Sequence, residues 1–398
     1  MSLALAVLGG CSLGEPPPLE APPPTAPPVQ HLLKAPGGPP DWTVDCSGGG
    51  DFTTIGAAIA AATPRQFIEV WPCTYNEDID YSGKALWIAG RDGSATTIID
   101  GGPGTVVAVE SGESVGTALV GFTVTGGTSQ AIDILMSALY LQDIVLTGNS
   151  GTSAIRSLSG DLKMADVTID ASNTSTLAAV YSDKGGVVMT RSTVECGSGA
   201  AVQAGHGAYL IDWSTLTCLG NDPVFETENG VGRIMRSNLH GNVEIVQEDD
   251  HPDDLLVVSN SLVRGDIDFH YGTFELRNAV VTGTVTVTDT GGGEIIENTA
   301  FIGSVACAID GATAPATVRN NDFWGPTTAR CDGAVVIGNN GNIAVDPQFV
   351  DLFGGDLHLT AGSALIDAGV GTARHNDVDG TRNDIGLFGG RFSQDGGW

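Results

Sequence analysis

Residues 293–301 read Gly-Glu-Ile-Ile-Glu-Asn-Thr-Ala-Phe, in which an asparagine precedes an apolar β-former by three residues. The same pairing recurs at steps of 18, 20, 22 and 20 residues. The asparagines are Asn260, Asn278, Asn298, Asn320 and Asn340, and the apolar partners are Val263, Val281, Phe301, Phe323 and Ile343. Such a period, with short alternating strands and no helical segment between them, predicts a solenoid of β-strands.

The apolar column continues towards the N-terminus at similar spacing, and each turn of the solenoid (a rung) is expected to bury one of its members. Its earlier members are Val124, Leu146, Ile169, Val194, Leu216 and Leu239. We expect the five asparagines to stack at a turn and to pass side-chain amide hydrogen bonds from rung to rung. The same position holds Gly121, Asp143, Asp166, Arg191, Trp213 and Arg236 in the earlier rungs. A leucine-rich repeat of this period is excluded because its leucine-dense consensus is absent.

The composition fits a soluble β-rich chain and excludes several partners. Among 398 residues there are 47 acidic and 17 basic ones, which gives a formal net charge of −30. Nucleic acid and anionic lipid both require a basic surface, so neither is an expected partner. An acidic polysaccharide is also disfavoured unless local arginines or bound cations reverse the field.

Six of the seven cysteines fall into neighbouring pairs that are each about one rung apart. Their separations are 27, 22 and 24 residues. Neighbouring strands lie about 4.8 Å apart, which fits the Cα separation of about 4.4–6.8 Å in a disulfide. The predicted bridges are Cys46–Cys73, Cys196–Cys218 and Cys307–Cys331, with free buried thiols as the alternative. Disulfides would indicate an oxidising location outside the cytoplasm.

The N-terminal residues resemble a bacterial lipoprotein signal. Residues 1–10 contain a short apolar stretch, and Leu8-Gly9-Gly10 leads into Cys11, which the resemblance implies is lipid-modified after cleavage. A basic n-region is missing, so the alternatives are a start codon further upstream or a frayed tail with a chance cysteine. Ser12 after the cysteine resembles a sorting signal for the outer membrane. Proline-rich residues 11–40 are expected to form an extended tether of up to roughly 90 Å.

Residues 41–100 carry a resemblance to a known fold family. Phe52-Thr53-Thr54-Ile55, the alanine-rich run 57–62, Phe67-Ile68-Glu69-Val70-Trp71-Pro72-Cys73-Thr74-Tyr75 and Thr97-Ile98-Ile99-Asp100-Gly101 resemble the opening of pectin-lyase-like proteins. The resemblance implies an all-β, right-handed parallel β-helix, with a short helix that caps its N-terminal end. We expect about 13 rungs, with the stack in residues 101–345 and the C-terminal rungs and cap in 346–398. Residues 346–398 resemble the tails of bacterial surface β-helix proteins, through stretches such as Asp346-Pro347-Gln348-Phe349-Val350-Asp351 and Asp377-Val378-Asp379-Gly380-Thr381-Arg382.

Enzymes of this family work on an outer face of the helix, but their short motifs are absent here in matching form. Gly205-His206-Gly207 lacks its usual acidic companions. The best polar cluster combines carboxylates with cations that can support acid–base chemistry. Its members are Arg236, His240, Arg264, Asp266, Asp268 and His270, with a solvated outer face as the alternative.

Two stretches are candidates for Ca²⁺, the only cofactor that the sequence suggests. The better one is Asp377-Val378-Asp379-Gly380 with Asp384 nearby, because carboxylates at i and i+2 before a glycine can point at one ion. The alternative is a turn held by aspartate-to-backbone hydrogen bonds. The acidic stretch 248–254 is the weaker candidate, with a solvated loop as its alternative.

These features predict a lipid-anchored protein of the outer membrane that displays a rigid acidic β-helix for binding or adhesion without catalysis. Its expected partners are the membrane, through the lipid, and a polysaccharide or surface protein. Four tryptophans, Trp71, Trp87, Trp213 and Trp324, are candidates for stacking on sugars, with structural positions at rung turns or in the cap as the alternative for several of them. The alternative is a polysaccharide lyase or glycoside hydrolase acting through Asp266, Asp268 and His270, and a third interpretation is a structural envelope protein.

Overall fold

In the computed structural model, the described residues are 38–172, 177–246, 255–270, 272–288, 294–302, 307–310, 317–325 and 337–393. The chain winds through parallel strands, and each strand pairs with the equivalent strand one turn earlier and one turn later. The strands form three faces, which we call sheets 1, 2 and 3 in the order in which each rung visits them. This is the predicted pectin-lyase-like parallel β-helix, with about 11 turns instead of 13.

The strands are short, and some run continuously from one sheet into the next. Sheet 1 contains Trp42–Val44, Phe67–Val70, Trp87–Gly90, Val187–Thr190, Leu255–Ser259, Thr273–Arg277, Ile295–Glu297 and Thr317–Arg319. Ala118–Thr125, Ala138–Leu146 and Asp161–Ala171 run from sheet 1 into sheet 2. Sheet 2 also contains Cys73–Tyr75, Thr97–Asp100, Thr193–Cys196, Thr215–Cys218, Asn238–His240, Leu262–Val263, Val280–Val281, Ala300–Ile302 and Asp322–Trp324.

Sheet 3 closes each rung. It contains Ile79–Asp80, Val107–Val109, Gln130–Leu135, Ser153–Leu158, Val180–Asp183, Val243–Val246, Ile267–His270, Val285–Thr288 and Cys307–Asp310. Val202–Asp212 and Phe225–Met235 run from sheet 3 into the following strand of sheet 1. Inward side chains stack in register along the axis, as Leu239, Val263 and Val281 do in sheet 2. The core is therefore a column that lengthens with each rung.

The corner between sheets 1 and 2 holds one residue per rung in the left-handed conformation. The residues are Gly121, Asp143, Asp166, Arg191, Trp213, Arg236, Asn260, Asn278, Asn298, Asn320 and Asn340, with φ between 46° and 75°. Asparagine and aspartate tolerate this conformation because their short polar side chains bond locally. The recurrence at this position therefore reflects a backbone requirement of the corner.

The side chains of the corner asparagines do not bond from rung to rung as the ladder prediction required. Asn260 Nδ2 donates to the carbonyl oxygens of Leu387 and Gly389 at 2.9 and 2.8 Å. Asn320 Nδ2 donates to those of Ala368 and Gly369 at 2.9 and 3.2 Å. The left-handed corner turns these amides outwards, where they meet a segment from the C-terminus. Asn278 and Asn298 bond the same segment, through Asn383 and Val370.

A side-chain ladder does exist, one residue after the corner. Each hydroxyl of Ser192, Ser214, Ser237 and Ser261 accepts a hydrogen bond from the backbone N–H of its counterpart in the preceding rung, at 3.2 Å. Each hydroxyl also donates to the carbonyl two residues before it. Asn321, and then Asn342 two residues after its corner at Asn340, continue the ladder with amide oxygens. Buried backbone groups at the corner are satisfied in this way.

The helix Ile55–Ala61 covers the N-terminal end of the core, as predicted, and buries Ile55, Ala58 and Ile59. The Glu77 carboxylate accepts hydrogen bonds from the N–H groups of Ile55 and Gly56 at 2.7 and 2.9 Å. Lys84 Nζ donates to the carbonyl of Ile59 at 2.7 Å. A carboxylate at the N-terminus and an ammonium at the C-terminus both match the helix dipole. These contacts stabilise a helix too short to persist alone.

Two of the predicted disulfides are confirmed. Cys46–Cys73 and Cys196–Cys218 join neighbouring rungs, with Cα–Cα distances of 6.4 and 4.6 Å. The third prediction cannot be placed, because Cys331 and the side chain of Cys307 lie outside what the structure describes. Cys11, residues 12–37 and the acidic stretch 248–254 are also outside the described residues. In the part of the chain that the structure does describe, no helix has the length and apolarity needed to span a bilayer.

Residues 346–393, which we call the C-terminal segment, lie along the outside of sheet 2 and do not extend the stack. The segment contains an antiparallel pair, Phe349–Asp351 with Asp356–Leu359. Its Leu357, Leu365, Ile385 and Leu387 pack against the outward side chains of sheet 2 at Leu262, Val280, Ala300 and Ile302. Sheet 2 is thus apolar on both faces in these rungs. Because the C-terminal segment covers this sheet and adds no rungs of its own, the stack has fewer rungs than predicted.

Candidate functional site

The six residues of the predicted polar cluster occupy three separate places. Arg236 lies at the corner of its rung and pairs with Asp212, with Nε 2.8 Å from Oδ1 and NH2 contacting Oδ2. Its guanidinium also lies 5.3 Å from the centre of the Trp213 ring. These contacts hold Arg236 in a structural role at a left-handed position, away from the carboxylates of sheet 3.

His240 and Arg264 come together on the outer face of sheet 2. Burial lowers the pKa of His240 to about 4, with a further contribution from the Arg264 charge. Burial also lowers the pKa of Arg264. At neutral pH the imidazole is therefore uncharged, and it faces a cation instead of the carboxylates that an acid–base pair would need.

The side chain and the backbone N–H of Asp266 both form hydrogen bonds to neighbouring rungs. Its Oδ1 accepts a hydrogen bond from the N–H of Thr284 at 2.6 Å, and its own N–H donates to Asn242 Oδ1 at 2.9 Å. Asp268 and His270 lie further along, half-buried on the outer face of sheet 3. The alternation predicted for these three residues holds for Asp268 and His270, whereas Asp266 belongs to the turn before the strand.

Asp268 is one member of a polar row that follows the outer face of sheet 3. Tyr181, Gln203, Glu226, Glu244 and Asp268 are in register on consecutive rungs. Equivalent residues are therefore about 4.8 Å apart along the axis. Burial raises the pKa of Glu226, and the charges of Glu244 and Glu228 raise it further. The cluster predicted from the sequence did not include Glu226.

Beside the row, His206 of the Gly-His-Gly tripeptide lies 3.3 Å from the Asp183 carboxylate, through Nδ1 and Oδ1. The two residues border a hollow of about 120 Å³ that also includes Tyr181, Gln203 and Glu228. The hollow is too small for a sugar ring and its flanking linkages, so it serves at most as part of the longer sheet 3 face.

The aspartates of the candidate cation site are held by backbone donors. Asp377 Oδ1 accepts from Gly390 N at 2.5 Å, and Asp379 Oδ1 accepts from Thr381 N at 2.9 Å. Asp384 Oδ1 accepts from Asp367 N at 2.6 Å. Burial raises the pKa of Asp377 to about 6, with contributions from Asp384 and Asp379. This arrangement matches the turn alternative, and no group of three or more metal-ligating side chains forms within the described residues.

The predicted aromatic platforms are largely covered. Trp87 and Trp213 are each only 7% exposed. Trp324 packs under the C-terminal segment, and Trp71 is half-buried beside Arg91, whose guanidinium lies 5.0 Å from its ring centre. The tryptophans therefore pack at corners and beneath the C-terminal segment, and a sugar would have to stack on other side chains.

A groove lies where the C-terminal segment meets the outer face of sheet 1. It has a volume of about 390 Å³. Its apolar lining comes from Met235, Val257 and Phe392. Phe392 is 50% exposed, which leaves part of its ring open to a ligand. The charged lining is mostly cationic, with Arg233, Arg277, Arg374 and Arg391 against Glu275. The uncharged polar lining consists of Ser259, Asn260, Asn278, His375 and Asn383.

A buried carboxylate organises one wall of this groove. Glu297 is fully buried and in register with Arg277 on one side and Arg319 on the other. Arg277 contacts Glu297 Oε1 and donates to Glu275 at 3.0 Å, while Arg319 NH2 donates to Glu297 Oε2 at 2.7 Å. This charge-paired stack positions the Arg277 guanidinium on the groove wall, because its partner Glu297 is itself held by Arg319 of the next rung.

His375 connects the C-terminal segment to this stack. Its Nε2 lies 3.4 Å from Glu297 Oε1, and its Nδ1 lies 2.5 Å from the Thr372 hydroxyl. Burial lowers the pKa of His375, and the charges of Arg374, Arg277, Arg319 and Arg391 lower it further. A neutral imidazole with its proton on Nε2 satisfies both contacts, donating to Glu297 and accepting from Thr372.

This groove was not predicted from the sequence. The charged residues that sheet 1 contributes to it nevertheless follow a pattern that is visible in the sequence. Arg277, Glu297 and Arg319 each directly precede a corner asparagine, so charges of alternating sign recur once per rung. That pattern predicts an ion-paired row on sheet 1. Arg374, His375 and Arg391 have no such period, and only the folding back of the C-terminal segment brings them to the row.

Comparisons with known proteins give likenesses of fold alone. No protein-family model matches the chain, and no curated protein sequence matches it. A pectate lyase structure covers 85% of this chain and 91% of its own, with 12% identity and a TM-score of 0.36. A pectin methylesterase from carrot covers 71% of this chain and 85% of its own, with 13% identity and a TM-score of 0.31.

A pectin methylesterase from Aspergillus niger is similar over 80% of this chain and 95% of its own, with 15% identity and a TM-score of 0.28. At such identities and TM-scores the three likenesses carry no argument about the activity of this chain.

Proposed function

We propose that this protein is a lipid-anchored cell-surface β-helix that binds a polysaccharide in the groove between sheet 1 and the C-terminal segment, without cleaving it. The observation that carries the proposal is the groove itself, about 390 Å³ with Met235, Val257 and Phe392 set among guanidinium groups. Sugars combine apolar ring faces with polar edges, and such a mixed lining complements both.

The partners of the groove residues favour binding over cleavage. The carboxylates of Glu275 and Glu297 are each already paired with arginine. Both ring nitrogens of His375 face a partner, Glu297 and Thr372. A general acid or base needs a free position within hydrogen-bond reach of the substrate. The contact between His375 and Glu297 instead holds the C-terminal segment against sheet 1.

The anchor is the second part of the proposal and rests on the sequence. Lipid attachment at Cys11, followed by the proline-rich stretch to residue 40, would hold the β-helix away from an outer membrane. Metabolic labelling with a fatty-acid analogue tests this directly. We expect label in the full chain and none in Cys11→Ser, and label that persists in the variant would contradict it.

Binding is tested with a glycan array probed with the purified protein, alongside an assay for new reducing or unsaturated ends. We expect retention of one or more oligosaccharides without product. Substituting Phe392 by Ala should weaken retention about tenfold or less, because one stacking face is lost. The exposed Phe353, which lies outside the groove and is 83% exposed, provides the matched control Phe353→Ala. An array with no retained glycan contradicts the proposal.

A cleaving enzyme is the alternative function, and one observation favours it. Glu226 has a raised pKa and lies on the open row of sheet 3 beside Glu244. A carboxyl that keeps its proton to a higher pH than usual is what a general acid requires. If product forms in the same assay and disappears in Glu226→Gln, then the protein is an enzyme acting on sheet 3. If the Phe392→Ala variant still forms product, the groove is excluded as the site of cleavage.

A further inference from the structure

The groove has an excess of positive charge that its own carboxylates do not neutralise. Around it lie the guanidiniums of Arg233, Arg277, Arg319, Arg374 and Arg391, and the carboxylates of Glu275 and Glu297. Five cations against two anions leave three positive charges without a carboxylate. The whole chain has a formal net charge of −30, so this local excess opposes the general trend of the molecule.

The arginines divide into a paired group and an open group. Arg277 and Arg319 are committed to Glu275 and Glu297 through the buried stack. Arg233 and Arg374 are both exposed, and among the described residues neither has a hydrogen bond or ion pair. Arg391 lies over the ring of Phe392 at 4.7 Å, and within the described part of the chain its guanidinium has no ion pair with a carboxylate. The open group is therefore Arg233, Arg374 and Arg391.

The open arginines converge on one place although they come from different parts of the chain. Arg233 is on the Phe225–Met235 strand of sheet 1, whereas Arg374 and Arg391 belong to the C-terminal segment. His375 experiences the charges of Arg374, Arg391, Arg277 and Arg319 together. Like charges gathered around one volume repel each other, and an oxyanion placed among them removes that cost.

The groove's ligand can be specified further, on the assumption that the proposed polysaccharide binding is correct. We propose that the ligand is an anionic polysaccharide, and that Arg233, Arg374 and Arg391 hold an oxyanion of one of its sugar units. Guanidinium groups match carboxylate and sulfate oxygens with pairs of N–H donors. Met235, Val257 and the free part of Phe392 then contact the ring that carries the anion. Anionic glycans are thereby selected by a protein whose remaining surface repels them.

The test uses three polysaccharides of matched length: alginate, which carries carboxylates, dextran sulfate, and neutral dextran. Their binding to the full chain is measured at low and at physiological salt. We expect one or both anionic chains to bind at least tenfold more tightly than dextran. Their affinity should fall about tenfold or more as salt rises, because the contacts are exposed ion pairs. Preference for alginate or for dextran sulfate identifies the oxyanion as carboxylate or sulfate.

Variants distinguish binding at the groove from non-specific electrostatic attraction to exposed arginines. Arg233→Gln and Arg374→Gln should each weaken the anionic ligand about three- to tenfold and leave dextran unaffected. The matched control is Arg65→Gln, which removes an exposed arginine on the first rungs, far along the chain from the groove residues. A variant that loses affinity must keep the thermal midpoint of the parent, since neither guanidinium has a structural partner.

Failure of the anion-site proposal can be distinguished from failure of the polysaccharide-binding proposal. If dextran binds as tightly as the anionic chains, or if Arg65→Gln weakens binding as much as the groove variants do, then the anion site is wrong while glycan binding stands. If none of the three polysaccharides and no arrayed glycan binds, both proposals fall. If anionic chains bind and only the groove variants weaken them, both are supported.

Discussion

Asn260 Nδ2 donates a hydrogen bond of 2.9 Å to the carbonyl oxygen of Leu387, which is 127 residues further along the chain. The asparagine is only 4% exposed and occupies the left-handed corner of its rung. One residue thus meets two requirements, a backbone conformation and a donor for a distant segment. The C-terminal segment is held by a column of such corners as well as by its apolar contacts.

Substituting Asn260 by Ala should destabilise the protein by about 2–4 kcal/mol, because two buried carbonyls lose their donor and alanine disfavours the left-handed corner. Asn260→Gly keeps the conformation accessible and isolates the loss of the hydrogen bonds. Asn340→Ala is the matched control, since Asn340 has the same φ class but an exposed side chain. Chemical denaturation gives the free energy of unfolding. Equal losses in Asn260→Ala and Asn340→Ala would show that attachment of the segment contributes nothing.

Ser214 lies in the middle of the serine ladder, is buried, and should contribute to the free energy of unfolding through its two hydrogen bonds. Its hydroxyl accepts from Ser192 N at 3.2 Å and donates to Asp212 O at 3.0 Å. Ser214→Ala leaves the buried N–H of Ser192 without an acceptor, at a cost of about 1–3 kcal/mol. Thr168→Ala, on the exposed face of sheet 2, should change the free energy of unfolding by less than about 0.5 kcal/mol. Hydrogen exchange of the Ser192 amide should increase only in the Ser214 variant.

Glu297→Gln should destabilise the protein strongly, because Arg277 and Arg319 lose the carboxylate that they share in a buried position. Breaking such a pair by removing one partner costs about 3–5 kcal/mol. Glu275→Gln is the control. Its carboxylate is partly exposed and bonds Arg277 alone, so we expect about 1 kcal/mol or less. If both variants unfold at the same denaturant concentration, the buried stack does not organise the groove.

Asp322 makes stability depend on pH near neutrality. The residue is fully buried; its Oδ1 accepts from Val345 N at 2.9 Å, and its Oδ2 has no partner among the described residues. Burial raises its pKa from 3.8 to about 7, and Asp346 contributes. The folded state therefore keeps a proton that the unfolded chain releases above 3.8. The stabilisation that this bound proton gives to the folded state is fully present below pH 3.8 and is lost as the pH rises through about 7.

Asp322→Asn should therefore flatten the pH profile. At pH 8 the variant should be more stable than the parent by roughly 1–3 kcal/mol, because no buried charge forms. At pH 4 the two proteins should differ little. Thermal midpoints of both proteins from pH 4 to pH 8 measure the difference profile. A variant that is less stable than the parent at pH 8 would contradict the raised pKa.

The recurrence of corner residues and of apolar β-formers determined the β-helix at the level of the amino-acid sequence alone. The reason is that each rung repeats the same local conditions: one left-handed residue, one inward apolar column and short strands between them. The cysteine pairs followed from the same repeat, because a separation of one rung places two Cα atoms within reach of a disulfide. Even the alternating charges before Asn278, Asn298 and Asn320 are visible in the sequence.

The destination of the C-terminal segment was decided by the tertiary structure. Nothing periodic links Leu387 to Asn260 or His375 to Glu297, because these contacts join residues about 80 to 130 positions apart. They form when the segment covers the apolar outer face of sheet 2, and the same step brings Arg374 and Arg391 beside Arg233. The repeat therefore determined the rod, whereas the groove depends on where a non-repeating segment folds back onto it.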